Sequence, residues 1–106
     1  MSTVTEFDET SFDKTLASER PTLVDFTAAW CAPCRAIAPH VAAVAERYAG
    51  VLNVGKVDTD EHPRLAEQYG VRAMPTLLLF KGGKVVGQIV GAVPRAKIEA
   101  LVATAL

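Results

Sequence analysis

Charge of one sign is scarce in this chain: 11 Lys and Arg stand against 12 Asp and Glu, leaving a formal net charge of −1. A nucleic-acid footprint or a membrane-surface patch needs a sustained excess of cations, so neither is expected. Long apolar runs are missing as well. Half of the residues are hydrophobic, yet no run approaches the roughly 20 residues that span a bilayer. Met1 to Phe7 lack the basic start and following apolar segment of a secretory signal, and a cytoplasmic protein is the expectation. Repeats, linkers and low-complexity tracts are absent. At 106 residues, residues 1–106 are read as a single domain, long enough to hide about two thirds of the unfolded surface.

Cysteine is nearly missing, and the two that occur stand together in Trp30-Cys31-Ala32-Pro33-Cys34, behind the apolar stretch Leu23-Val24-Asp25-Phe26. A bridge across two intervening residues closes almost no loop, so structural stapling explains the pair poorly. A tetrahedral zinc site needs four ligands, and Cys31, Cys34, His40 and His62 lack finger spacing. Two thiols at a strand-to-helix turn can instead close a small disulfide ring and exchange two electrons with another dithiol or disulfide. A reducing compartment suits a chain whose cysteines form only a local pair.

The order of elements follows from pattern. A short strand precedes Asp8, which can cap a helix beginning near Glu9, with Phe7 and Phe12 placed as a hydrophobic staple; Pro21 is expected to end that helix. Leu23 to Ala28 reads as an apolar strand with Asp25 as its one charged residue, the pattern of a strand buried on both faces. Ile37, Val41, Val44, Ala45 and Tyr48 recur at helical spacing, with Gly50 at a left-handed cap and a kink expected at Pro39. Val51 to Val57 predicts a strand, and Pro63 to Tyr69 a short helix closing at Gly70. Thr76 to Phe80 and Val85 to Val90 flank Lys81-Gly82-Gly83-Lys84 as a hairpin. Ile98, Leu101, Val102 and Ala105 mark a last amphipathic helix. The resulting strand, helix, strand, helix, strand, helix, strand, strand, helix order is that of an α/β domain with helices on both faces of a mixed sheet.

Within this order stand Val24-Asp25-Phe26, Trp30-Cys31-Ala32-Pro33-Cys34-Arg35, Pro39, Lys56-Val57-Asp58, Met74-Pro75-Thr76 and Val90-Gly91-Ala92. With these residues the chain resembles the thioredoxin family over essentially its whole length. It implies the thioredoxin fold, a five-stranded mixed sheet flanked by four helices. It also implies a protein disulfide reductase acting on disulfide-containing proteins, recharged by a thioredoxin reductase and working as a monomer. The chain departs from the commonest family pattern at Ala32, where most members have glycine, at Thr27, and at Arg35, where lysine is usual. Ala32 favours helical backbone inside the redox ring and bears on the redox poise.

Cys31 is expected at the helix start, where free N–H groups and the helix dipole favour a thiolate, with Cys34 one turn inward and more shielded. Cys31 would then attack and Cys34 resolve. A carboxylate inside a buried strand is costly unless paired, hydrogen-bonded or protonated, so Asp25 is expected to hold its proton unusually tightly; the alternative is a structural hydrogen bond or an edge position. By resemblance Asp25 would accept the proton of Cys34 and Lys56 would temper its proton affinity, although surface charge also accounts for a lysine. Resemblance further implies a cis bond at Met74-Pro75 facing the cysteines. Trp30, Ala32, Pro33, Ala73, Met74, Pro75, Val90, Gly91 and Ala92 would form an apolar substrate-binding rim. His40 and His62 are read as non-functional, and no metal or organic cofactor is expected. Three other readings stay open: a thiol oxidase or isomerase for exported proteins, a docking module on the same fold, and a metal centre shared between two chains.

Overall fold

The computed structural model describes residues 3–106. β1 (Thr5–Glu6) is followed by α1 (Glu9–Leu16), β2 (Thr22–Thr27), α2 (Ala32–Arg47), β3 (Asn53–Asp58), α3 (Pro63–Gln68), β4 (Thr76–Lys81), β5 (Lys84–Val90) and α4 (Arg95–Ala103). The sheet has five strands in the order β1-β3-β2-β4-β5. β1, β3 and β2 are mutually parallel, and β4 and β5 complete the sheet antiparallel. This is the mixed sheet expected from the sequence. The crossovers place helices on both faces, as parallel pairing requires.

Side-chain alternation along the strands divides the interior in two. Leu23, Leu77, Leu79 and Val54 pack with Ile37, Val41 and Val44 of α2 and Ile98 and Val102 of α4. On the opposite face Val24, Phe26, Val57, Leu78 and Phe80 pack with Phe7, Phe12, Leu65 and Ala66. Asp25 lies between Val24 and Phe26 and therefore shares the face of Leu23, beneath α2.

Asp8 caps α1 as expected, accepting from Ser11 N–H at 2.8 Å, and the Ser11 hydroxyl accepts the Asp8 N–H at 3.0 Å. The Phe7 and Phe12 rings meet edge to face at 5.9 Å, closing the staple. Pro21 does not end α1: the helix stops at Leu16, because the Ser18 hydroxyl takes the Arg20 N–H at 3.2 Å and turns the backbone early. β3 likewise starts two residues later than the apolar pattern suggests. Gly50 adopts φ 89°, and the N–H groups of both Val51 and Leu52 bond back to the Tyr48 carbonyl at 3.0 Å. Those residues form the turn, and the ladder begins at Asn53.

Candidate active site

The parallel strands β2 and β3 end on the same edge of the sheet, where ligands gather in folds of this kind. The turn after β2 carries Trp30 and Cys31. Cys31 is the N-cap of α2, and its Sγ accepts the Cys34 N–H at 3.2 Å, so the sulfur takes up one of the helix's unpaired donors. Cys31 and Cys34 are joined as a disulfide, with Cα atoms 5.2 Å apart. Both are covered in the oxidised state, Cys31 being 4% and Cys34 2% exposed. Arg35 anchors the turn by donating to the Ala29 carbonyl at 2.7 Å.

The loop before β4 closes over this pair. The Met74-Pro75 bond is cis, Met74 packs with Ala28, Cys31 and Cys34, and its carbonyl oxygen lies 3.7 Å from the Cys31 sulfur. In the reduced protein a Cys31 thiol can donate to that carbonyl. Pro75 is buried, and its own carbonyl accepts the Gly91 N–H at 2.8 Å. That bond joins the two rim loops. Gly91 has φ 95°, a backbone shape that glycine adopts without a steric penalty. Trp30, Ala32, Pro33, Ala73, Val90 and Ala92 are exposed, with Met74 and Gly91 half-buried. Met74 is thus tied to the sulfurs and Gly91 to Pro75, while Ala73 and Val90 line one shallow pocket and Ala92 another.

Asp25 is 4% exposed, and its Oδ1 has no hydrogen-bond partner among the described residues. It faces a cavity of about 350 Å³ that Cys34, Ala38 and Lys56 also line. Burial pushes the carboxyl from its ordinary 3.8 up to about 6, and the Lys56 ammonium pulls in the opposite direction. A carboxyl raised to about 6 and Cys34 therefore open on one space, large enough for bridging water.

Several site residues were not foreseen. Trp30, 66% exposed, donates its indole N–H to Asp60 Oδ2 at 2.9 Å. Asp60 is aimed by a turn in which Asp58 Oδ1 accepts the N–H groups of Asp60 and Glu61 at 2.9 and 3.2 Å. Thr59 donates through its hydroxyl to the Thr27 carbonyl at 3.2 Å and approaches Met74 Sδ at 3.0 Å. The signal available was the parallel pairing itself, which lands the residues after β3 beside those after β2. Glu6 and His62 also line the cavity, and His62 additionally meets Glu9 at 3.3 Å. Among the described residues no cluster of three or more His, Cys, Asp or Glu is arranged to hold a metal, and no helix is long and apolar enough to cross a membrane.

A model of the Thioredoxin family matches residues 3–104. Thioredoxin 1 of Nostoc sp. is 50% identical over 92 residues, covering 87% of this chain and 86% of that protein. Thioredoxin M-type, chloroplastic, of Chlamydomonas reinhardtii is 50% identical over 91 residues, covering 86% and 65%. A solved chain from work on the thiol resolving mechanism in yeast mitochondrial 1-Cys peroxiredoxin via glutathione/thioredoxin systems superposes with a TM-score of 0.87 at 30% identity, covering 98% of this chain and 99% of its own. With a bonded Cys-x-x-Cys pair at a helix start and likeness along nearly its whole length, the chain belongs to the thioredoxin family of thiol-disulfide oxidoreductases.

Proposed function

We propose that this protein reduces disulfides in other proteins, with Cys31 as attacking thiolate, Cys34 as resolving thiol and Asp25 as proton acceptor. The observation that carries the assignment is the position of Cys31 as N-cap of α2, with its sulfur accepting a backbone N–H that would stabilise a thiolate. The Cys31 thiolate attacks a substrate sulfur, forms a mixed disulfide and expels the first substrate thiolate. Cys34 gives its proton to the Asp25 carboxylate, through water in the shared cavity, and its thiolate attacks the Cys31 sulfur. The second substrate thiolate leaves, and the protein is left as the Cys31–Cys34 disulfide, two electrons poorer.

Lys56 moderates the proton affinity of Asp25. The substrate lies as an extended segment across Trp30, Ala32, Pro33, Ala73, Met74, Val90, Gly91 and Ala92, with the backbone at Met74 available for pairing and Pro75 fixing that loop. Thioredoxin reductase returns the electrons, so the chain needs no metal or organic cofactor of its own. Every group used belongs to one chain, which supports a working monomer, and the local cysteine pair supports a reducing compartment, the cytoplasm.

Equilibration of the couple against glutathione, with turnover on a model protein disulfide, tests this. A strongly reducing couple with rapid turnover is expected. An oxidising couple would make the protein a disulfide donor, and a reducing couple without turnover would make it a docking module.

A further inference from the structure

The cavity beside Asp25 has on its rim a residue that neither the cysteine chemistry nor the substrate rim uses. Glu6, Lys56 and Asp25 stand in register on three adjacent parallel strands: Glu6 opposite Lys56 across β1 and β3, and Lys56 opposite Asp25 across β3 and β2. Residues in register on parallel strands face the same way, and all three line the one cavity beneath α2. The row runs from water to interior, the side chains of Glu6 and Lys56 being 82% and 45% exposed and Asp25 buried. Lys56 therefore has a carboxyl group on either side. Its Nζ lies 3.4 Å from Glu6 Oε1, and Asp25 Oδ1 is left without a partner.

We propose that Glu6 is a positioning residue for proton transfer: by pairing with Lys56 on the outer side of the row, it holds the ammonium away from Asp25 and leaves that carboxyl the better proton acceptor. This rests on the reading of Asp25 as acceptor for Cys34. The other charged groups facing the cavity are Arg35 from α2, Asp58 from β3, and Glu61 and His62 from the turn before α3. Three of these have partners of their own: Arg35 the Ala29 carbonyl, Asp58 two backbone N–H groups, and His62 the Glu9 carboxylate. Glu61 is exposed on the turn. Glu6 alone meets Lys56 through an ion pair among the described residues.

Removing the Glu6 charge acts twice in one direction. It frees Lys56 to lean toward Asp25, and it deletes a like charge; both favour the Asp25 carboxylate, so the proton leaves at lower pH.

The test is titration of the Asp25 carboxyl by ¹³C NMR in the oxidised 106-residue chain. Glu6→Gln is expected to lower the midpoint by about 0.2–0.5 pH unit, the scale of an exposed ion pair. The shift should shrink in a Lys56→Gln background and fade in about 1 M salt, where screening reaches within ~3 Å. Glu19→Gln, an exposed carboxylate before β2, should leave the midpoint in place. An unmoved midpoint in Glu6→Gln, or an equal shift in Glu19→Gln, overturns the part given to Glu6 and leaves that of Asp25 standing. The pH profile of the resolving step in the same variants separates the two: a moved carboxyl midpoint with an unmoved rate profile removes Asp25 as acceptor, and the positioning role with it.

Discussion

The indole N–H of Trp30 donates to the Asp60 carboxylate at 2.9 Å although the ring itself is two-thirds exposed. A large apolar side chain standing in water beside the sulfurs is thereby kept in one orientation at small entropic cost during binding. Asp60→Ala should free the ring. A charge-assisted bond at the surface is worth up to about 1 kcal/mol, so kcat/KM on protein disulfides is expected to fall by up to about fivefold. Trp30 is the single tryptophan, so its fluorescence anisotropy reports the same change directly. Unchanged anisotropy in Asp60→Ala would show that packing, not Asp60, holds the ring.

The buried carboxyl makes stability depend on pH in an unusual direction. Folding raises Asp25 from 3.8 to about 6, so the folded state binds this proton more tightly than the unfolded chain. Its stabilising contribution is complete below pH ~4 and is lost as the pH rises through about 6, after which an ionised buried carboxylate opposes folding by on the order of 3 kcal/mol. Asp25→Asn should therefore raise the urea midpoint at pH 8 and change it little at pH 4. At pH 7 and above it should also slow the resolving step. Equal midpoints for the two proteins at pH 8 would mean that Asp25 finds solvation in the cavity.

The division between the two cysteines has its own signature. Cys34→Ser keeps the N-cap sulfur of Cys31 and removes the group that releases product, so mixed disulfides with substrate proteins should accumulate on non-reducing gels. Cys31→Ser should form none. Trapping through Cys34 in the second variant would reverse the order of attack.

Phe7 and Gly55 fit together so closely that Gly55 has no room for a side chain: a Cβ there would collide with the Phe7 ring. Phe7 is buried and also meets Phe12 edge to face, so it cannot simply swing out. Gly55→Ala is expected to cost about 1–3 kcal/mol, read as a lower urea midpoint with little change in slope. A neutral substitution would mean that β1, two residues long, shifts outward to make room.

The parts of this molecule visible in the sequence are those written in local pattern or in residue chemistry. Ile37, Val41 and Val44 announce the buried stripe of α2, and the odd carboxylate in an apolar run marks Asp25 as a group to examine. Val51 misled because an exposed apolar residue in a turn looks the same as the first residue of a strand. Only the return of two N–H groups to Tyr48, made possible by Gly50, distinguishes them. Asp60 and Glu6 were illegible for a different reason: their meaning comes from partners remote in the chain, and strand register is what introduces them. The cis bond at Pro75 came from family resemblance, since a proline at a strand start fits either isomer.

The strand order distributes the work of the site unevenly. Asp25 and the turn into Cys31 hang from β2, which is bonded to a neighbour on each side. Val90 ends β5, one of the two edge strands, and the Gly91 N–H beyond it donates to the Pro75 carbonyl. With the rim proposed above, drift in the last residues of β5 and the loop after it changes which client proteins are met while the electron-carrying couple is inherited intact. A scaffold divided in this way lends itself to duplication, with each copy free to acquire a new clientele without relearning its chemistry.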